Sequence, residues 1–96
     1  MSETHELILT IDHPSGLHLR PAALFVKTAA RFQSQITITN ISRVGRPESD
    51  AKSLMGVMQN GVSQGHQVRL RANGPDAEAA LAALQQLVSN RFEENP

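Results

Sequence analysis

The apolar residues of this chain switch repeatedly between a period of two and a helical period, and this alternation limits the fold more tightly than any other feature. From Glu6 to Ile11 every second residue is apolar, with Leu7, Leu9 and Ile11 on one side, as in a strand with one buried face. His13-Pro14-Ser15-Gly16 is a turn signal. From Pro21 the period is helical: Ala22, Phe25, Val26, Ala29 and Phe32 form one stripe. Proline suits the first turn there, because its missing N–H had no intrahelical partner to lose. Ile36 to Ile41 is a second strand, rich in β-branched residues. Residues 42–47 form a loop, and Glu48 to Lys52 read as a short polar edge strand. Ser53 is placed to cap a short helix carrying Leu54, Met55, Val57 and Met58, which Asn60-Gly61 closes. His66 to Ala72 alternates again, with Val68, Leu70 and Ala72 inward. After Asn73-Gly74-Pro75, a long helical stripe runs through Ala77, Ala80, Leu81, Leu84, Leu87 and Val88. Asp76 and Glu78 lie at its positive end and Arg91 near its negative end. The order βαββαβα, with short connections, predicts an α+β sandwich with helices on one face of an antiparallel sheet.

Composition narrows the function classes. At 96 residues the chain is expected to be one domain spanning 1–96. It has nine basic and nine acidic residues, so it lacks the basic excess of a nucleic-acid or membrane surface. There is no cysteine, which excludes disulfides, thiol chemistry and thiolate metal sites. No apolar run is long enough to cross a bilayer, and the N-terminus does not read as a signal peptide, so a cytoplasmic location is expected. His5, His13 and His66 lack metal-ligand spacing and are expected at the surface.

The segment that carries chemistry is Ser15-Gly16-Leu17-His18-Leu19-Arg20-Pro21-Ala22, between the first strand and the first helix. A helix start offers unpaired backbone N–H groups and partial positive charge, both favourable to an anion. His18 is expected a few residues before that start. Arg20 adds a permanent cation whose planar fork of donors matches phosphate oxygens. Positive surroundings favour the neutral imidazole that a nucleophile needs, and would hold the negative charge that arrives with a phosphoryl group. Spacing alone leaves open the alternative of an ordinary exposed loop histidine beside an ordinary first-turn arginine.

Gly16-Leu17-His18-Leu19-Arg20-Pro21-Ala22, extended by Phe25-Val26-Lys27, resembles the active-site signature of the HPr family, the histidine-containing phosphocarriers of the bacterial sugar phosphotransferase system. Lys52-Ser53-Leu54-Met55-Gly56-Val57-Met58 is similar to the family's second signature, and the terminal Ala-Leu-rich helix is similar too. The resemblance covers nearly the whole chain. It implies an open-faced β-sandwich of four antiparallel strands covered by three helices. It also implies a carrier that is not an enzyme and needs no metal or cofactor: His18 accepts a phosphoryl group on Nδ1 from Enzyme I, Arg20 stabilises it, and IIA domains of sugar permeases receive it. Monomer is the default state for such a transient carrier.

Ser53 matches the position that an HPr kinase modifies in some members, a regulatory role compatible with capping. Leu54, Met55 and Met58 match an apolar partner-binding patch, where methionine suits a surface that must fit several partners, and Lys27 adds charge to the same face. Two departures stand out: Leu19, where the family most often has a small residue, and the loop at 42–47, which looks longer than usual. Two other functions remain open at this point. One is a signalling carrier of the nitrogen-related branch. The other is a regulatory binding module that acts on a transcriptional regulator through Ser53 and the methionine patch.

Overall fold

The computed structural model describes residues 4–93. Strands β1 (Thr4–Thr10), β2 (Gln35–Asn40), β3 (Ser49–Asp50) and β4 (Gln67–Asn73) alternate with helices α1 (Leu19–Ala29), α2 (Leu54–Gln59) and α3 (Ala77–Ser89) in the expected βαββαβα order. They form one four-stranded antiparallel sheet in the order β1-β4-β2-β3. β4, the last strand in the chain, is therefore central, paired Leu9 to Val68 and Leu7 to Leu70 on one side and Ile38 to Leu70 on the other.

The period-two pattern explains which face is covered. Leu9, Ile36, Ile38, Val68, Leu70 and Ala72 are buried together with Ala22 and Phe25 of α1, Val57 of α2, and Ala80 and Leu84 of α3. The opposite face is polar apart from the exposed Ile8 and carries its own bonds: Arg71 is ion-paired to Glu6 at 2.8 Å and to Glu48 at 3.3 Å. Glu48 also accepts from the Thr37 hydroxyl at 2.6 Å, and this bond, ahead of the arginines, holds its carboxyl below the usual glutamate range. The covered face thus reads correctly from alternation, and the fold is the open-faced sandwich that was expected.

Several boundaries differ from the sequence reading. β3 is only two residues long, and β2 begins one residue earlier and ends before Ile41, which is exposed. Phe32 lies beyond α1 and is half-buried against the core rather than part of the helical stripe. The largest difference is the start of α1. It begins at Leu19, not Pro21, so His18 is itself the N-cap residue rather than lying a few residues upstream. Pro21 still falls in the first turn, as its chemistry requires.

Two features place α2. A Cβ at Gly56 would stand 2.9 Å from the Asp50 carbonyl oxygen, so only glycine lets the helix lie this close to β3 despite its poor helix propensity. At the other end, Asn40 and Asn60 are buried and bond to each other. The Asn40 N–H donates to Asn60 Oδ1 at 2.8 Å, and Asn40 Nδ2 donates to the Asn60 carbonyl at 3.0 Å. Buried amides are tolerated only when satisfied in this way.

Candidate functional site

The loop from His13 to His18 is a series of short-range bonds, tied at Leu17 to a distant segment and packed at His13 against another. The Gly16 N–H donates to the His13 carbonyl at 2.8 Å, and the His18 N–H to the Ser15 carbonyl at 3.3 Å. Leu17 is buried, and its N–H donates to the Val62 carbonyl at 3.0 Å, which ties the loop to the segment before β4. Gly16 has φ of +57° and lies against the same segment; a Cβ there would be 2.2 Å from the Val62 oxygen. Glycine is required both by the left-handed backbone and by the close approach.

With Leu17 fixed, His18 emerges exposed at the N-terminus of α1 in an extended conformation, φ −73° and ψ −173°. Its carbonyl accepts the first helical bond, from the Ala22 N–H at 2.8 Å. Its side chain makes no cap bond, and the first turn contains no acidic residue. The amides of Leu19 and Arg20 therefore begin the helix without an intrahelical acceptor, while Pro21 has no N–H to orphan. Arg20 is exposed in the same turn. A cation there is disfavoured by the helix dipole, so its placement works against helix stability and in favour of anion binding. Leu19 is 61% exposed, so the larger side chain extends the apolar surface beside His18 into solvent.

Beside this turn lies a groove of about 390 Å³, bounded by Arg20 and Leu24 of α1, by His13 and Ser15 of the loop, and by Arg91 and Phe92 after α3. Arg91 and Phe92 both have positive φ, 57° and 61°. They close α3 by a Schellman pattern: the Phe92 N–H reaches the Leu87 carbonyl and the Arg91 N–H the Val88 carbonyl, both at 2.9 Å. An arginine fills the left-handed position that glycine usually takes, and its side chain pairs with Asp12 at 3.5 Å. Phe92 is buried against the His13 ring, edge to face, with centroids 5.7 Å apart.

The remaining sites fall on α1 and α2, which pack against each other. Ser53 is the N-cap of α2, and its hydroxyl accepts from the Gly56 N–H at 3.1 Å. Met55 and Met58 are exposed, at 68% and 38%. Leu54 is half-buried and packs against the core, so it belongs to the interior as much as to the surface patch. Val57 is wholly interior. Lys27 is exposed in the last turn of α1. The loop at 42–47 leans on the end of α2, where Arg46 Nη1 donates to the Gln59 carbonyl at 2.9 Å.

The minor histidines require a correction. Expected at the surface, His5, His13 and His66 are each half-buried. His66 Nδ1 accepts from the Ser63 N–H at 3.0 Å, and His13 Nδ1 from the Ser15 N–H at the same distance. His13, Arg91 and Phe92 were not singled out as site residues. The turn residues before the signature were a signal for His13; no local pattern points to Phe92, because its partner lies at the other end of the chain. Among the described residues there is no group of three or more metal-ligating side chains, and no helix is long and apolar enough to cross a membrane.

Residues 6–90 match the family model described as the PTS HPr component phosphorylation site. The chain belongs to the HPr family. It is 44% identical over 91 residues to the phosphocarrier protein HPr of Xylella fastidiosa strain 9a5c, covering 95% of this chain and 96% of that one. The crystal structure of an HPr from Thermoanaerobacter tengcongensis superimposes with a TM-score of 0.84 at 44% identity, covering 96% and 99% of the two chains. A multiphosphoryl transfer protein of Salmonella typhimurium is 43% identical over 79 residues, 82% of this chain but 20% of that longer protein. This HPr chain is thus a phosphocarrier of the phosphotransferase system, and the open helix end at His18 lies within the matched region.

Proposed function

We propose that His18 is the phosphoryl acceptor, charged by phospho-Enzyme I and discharged to IIA domains of sugar permeases. The observation that carries this reading is the exposed, uncapped His18 at a helix start free of carboxylates, with Arg20 in the same turn. An imidazole nitrogen attacks the phosphorus, the new N–P bond forms as the donor's bond to phosphorus breaks, and no proton need leave a neutral ring. The arriving charge meets the amides of Leu19 and Arg20 and the Arg20 guanidinium. These groups favour the phosphorylated state without burying it, so the phosphoryl group stays accessible to the next protein.

Met55 and Met58, with Lys27 and the exposed edge of Leu54, form the face that meets Enzyme I and IIA domains in turn. The protein acts as a cytoplasmic, monomeric, single-domain carrier with no cofactor. Ser53 is the point at which an HPr kinase would act. A phosphoserine would put close to two negative charges at the start of α2, keep an acceptor for the Gly56 N–H, and alter the neighbouring methionine face without melting the helix.

Phosphoenolpyruvate and Enzyme I, incubated with wild type and His18→Ala and read by intact mass, test the acceptor. An acid-labile phosphate on wild type and none on the variant is expected. Failure of wild type to accept from an active Enzyme I, and then from a nitrogen-branch donor, would overturn the relay and leave the regulatory binding role.

A further inference from the structure

We infer that His13 is a positioning residue for phosphoryl transfer, holding the turn that presents His18. The inference rests on His18 as the acceptor but on separate observations. His13 Nδ1 accepts from the Ser15 N–H at 3.0 Å, while its carbonyl accepts from the Gly16 N–H at 2.8 Å. One residue thus receives two successive amides of the loop. The Ser15 carbonyl in turn accepts from the His18 N–H at 3.3 Å. Nδ1 can accept only if the ring proton is on Nε2, so the bond selects one neutral tautomer.

The ring cannot turn freely, because Phe92 packs perpendicular to it with centroids 5.7 Å apart. Phe92 is itself held in place. It is 5% exposed, its φ is +61°, and its N–H is bonded to the Leu87 carbonyl. A bulky residue in left-handed backbone persists only where its surroundings determine it. The end of α3 therefore acts as a wall that fixes the His13 ring, the ring fixes the Ser15 amide, and Ser15 fixes the N-cap. The second anchor, Leu17 on Val62, sets where the loop lies; the His13 bond sets how its last residues turn.

The two contacts of His13 can be separated by substitution. His13→Phe keeps an aromatic ring for Phe92 and removes the acceptor. His13→Asn removes the ring and restores an acceptor, because an asparagine carbonyl bonds the amide two residues on in an Asx turn. Steady-state charging by phospho-Enzyme I, with the carrier as varied substrate, is measured together with hydrogen exchange at the Ser15 amide. His13→Phe is expected to lower the maximal rate about fivefold, the worth of one net hydrogen bond, with KM unchanged and Ser15 exchange accelerated. His13→Asn is expected to recover both. His13→Phe charging at the wild-type rate, or His13→Asn remaining as slow as His13→Phe, would overturn the inference. Should His13→Phe not fold, His13→Ala carries the same arm. If wild type is not charged at all, the acceptor reading fails by itself. The Ser15 exchange then still decides whether His13 holds the turn: protection lost in His13→Phe and regained in His13→Asn supports the holding role, and unchanged protection refutes it.

Discussion

At the start of α3, Asp76 occupies the N-cap position and Glu78 the first turn, whereas α1 starts with His18 and Arg20 and no carboxylate. The macrodipole favours the first arrangement and disfavours the second. Asp76 is also fully engaged. Its Oδ1 accepts from the Ser34 hydroxyl at 2.6 Å and the Ser34 N–H at 2.9 Å, and its Oδ2 from the Gln33 N–H at 2.9 Å. The Ser34 hydroxyl above all, then the Gln33 and Ser34 amides, hold the Asp76 carboxyl below the usual aspartate range. That helix end joins α3 to the turn before β2. At α1 the N-cap position holds an imidazole with no such long-range partners, and the charged residue of the first turn is a cation. Neither N-cap side chain bonds an amide of its own helix, so what separates the two ends is charge: acidic where the end is part of the frame, basic where it would receive an anion.

Removing the concession at α1 should expose it most clearly. His18→Ser would supply the missing cap. Stability is expected to rise by about 1 kcal/mol, or a melting temperature higher by about 4–8 °C, while acid-labile phosphate vanishes from the intact mass. A variant that loses the phosphate and also melts lower would show that the open end costs nothing.

Arg20→Glu makes α1 resemble α3. Charging should slow on the order of 100-fold, the usual cost of losing a group that stabilises developing charge. The same variant should be more stable by about 0.3–1 kcal/mol at low ionic strength, a gain that fades as salt is added. Stopped-flow or quenched charging assays beside melts at two salt concentrations would register both effects, and unchanged charging would remove Arg20 from the site.

The reverse change is Asp76→Asn, which turns an NH₂ toward one of the donors now bonded to the carboxylate. The melting temperature should fall. Because the folded-state pKa of Asp76 lies below its unfolded value, its contribution is complete above the ordinary aspartate range and is lost as pH falls through the lowered folded-state value. Melts across acidic pH should therefore show wild type and variant converging as pH drops; a constant gap would remove the ionised carboxylate from the account.

The start of α2 is the one of the three with a side-chain cap bond, made by a neutral hydroxyl. Ser53→Ala should cost about 1 kcal/mol, measured by urea unfolding. An effect near zero would mean that the neighbouring packing, including Val57 and the Gly56 approach to Asp50, holds α2 without its cap.

Much of the molecule was legible in the sequence. Alternation in residues 6–11 and 66–72 identified the covered face of the sheet, and Ser53 was recognisable as a cap from its place before Leu54. The signature around His18 pointed to the residue and to Arg20, though with the helix starting at Pro21. Leu19 and Arg20 carry no local mark of a helix start, and the tether that sets the start, Leu17 to Val62, spans the sequence. His13 and His66 looked like surface histidines because a histidine's acceptor role depends on which amide faces it.

Periodicity, turn residues and the His-x-Arg-Pro motif determined the elements, their order and the chemical groups, because these follow from backbone preference and from which side of each element is apolar. Tertiary structure decided which polar groups meet. Asp76 receives Ser34, Asn40 receives Asn60, and Phe92 closes on His13. Each pairing joins residues far apart in the chain, and a distant hydrogen-bond or ring partner leaves no period in the sequence to read.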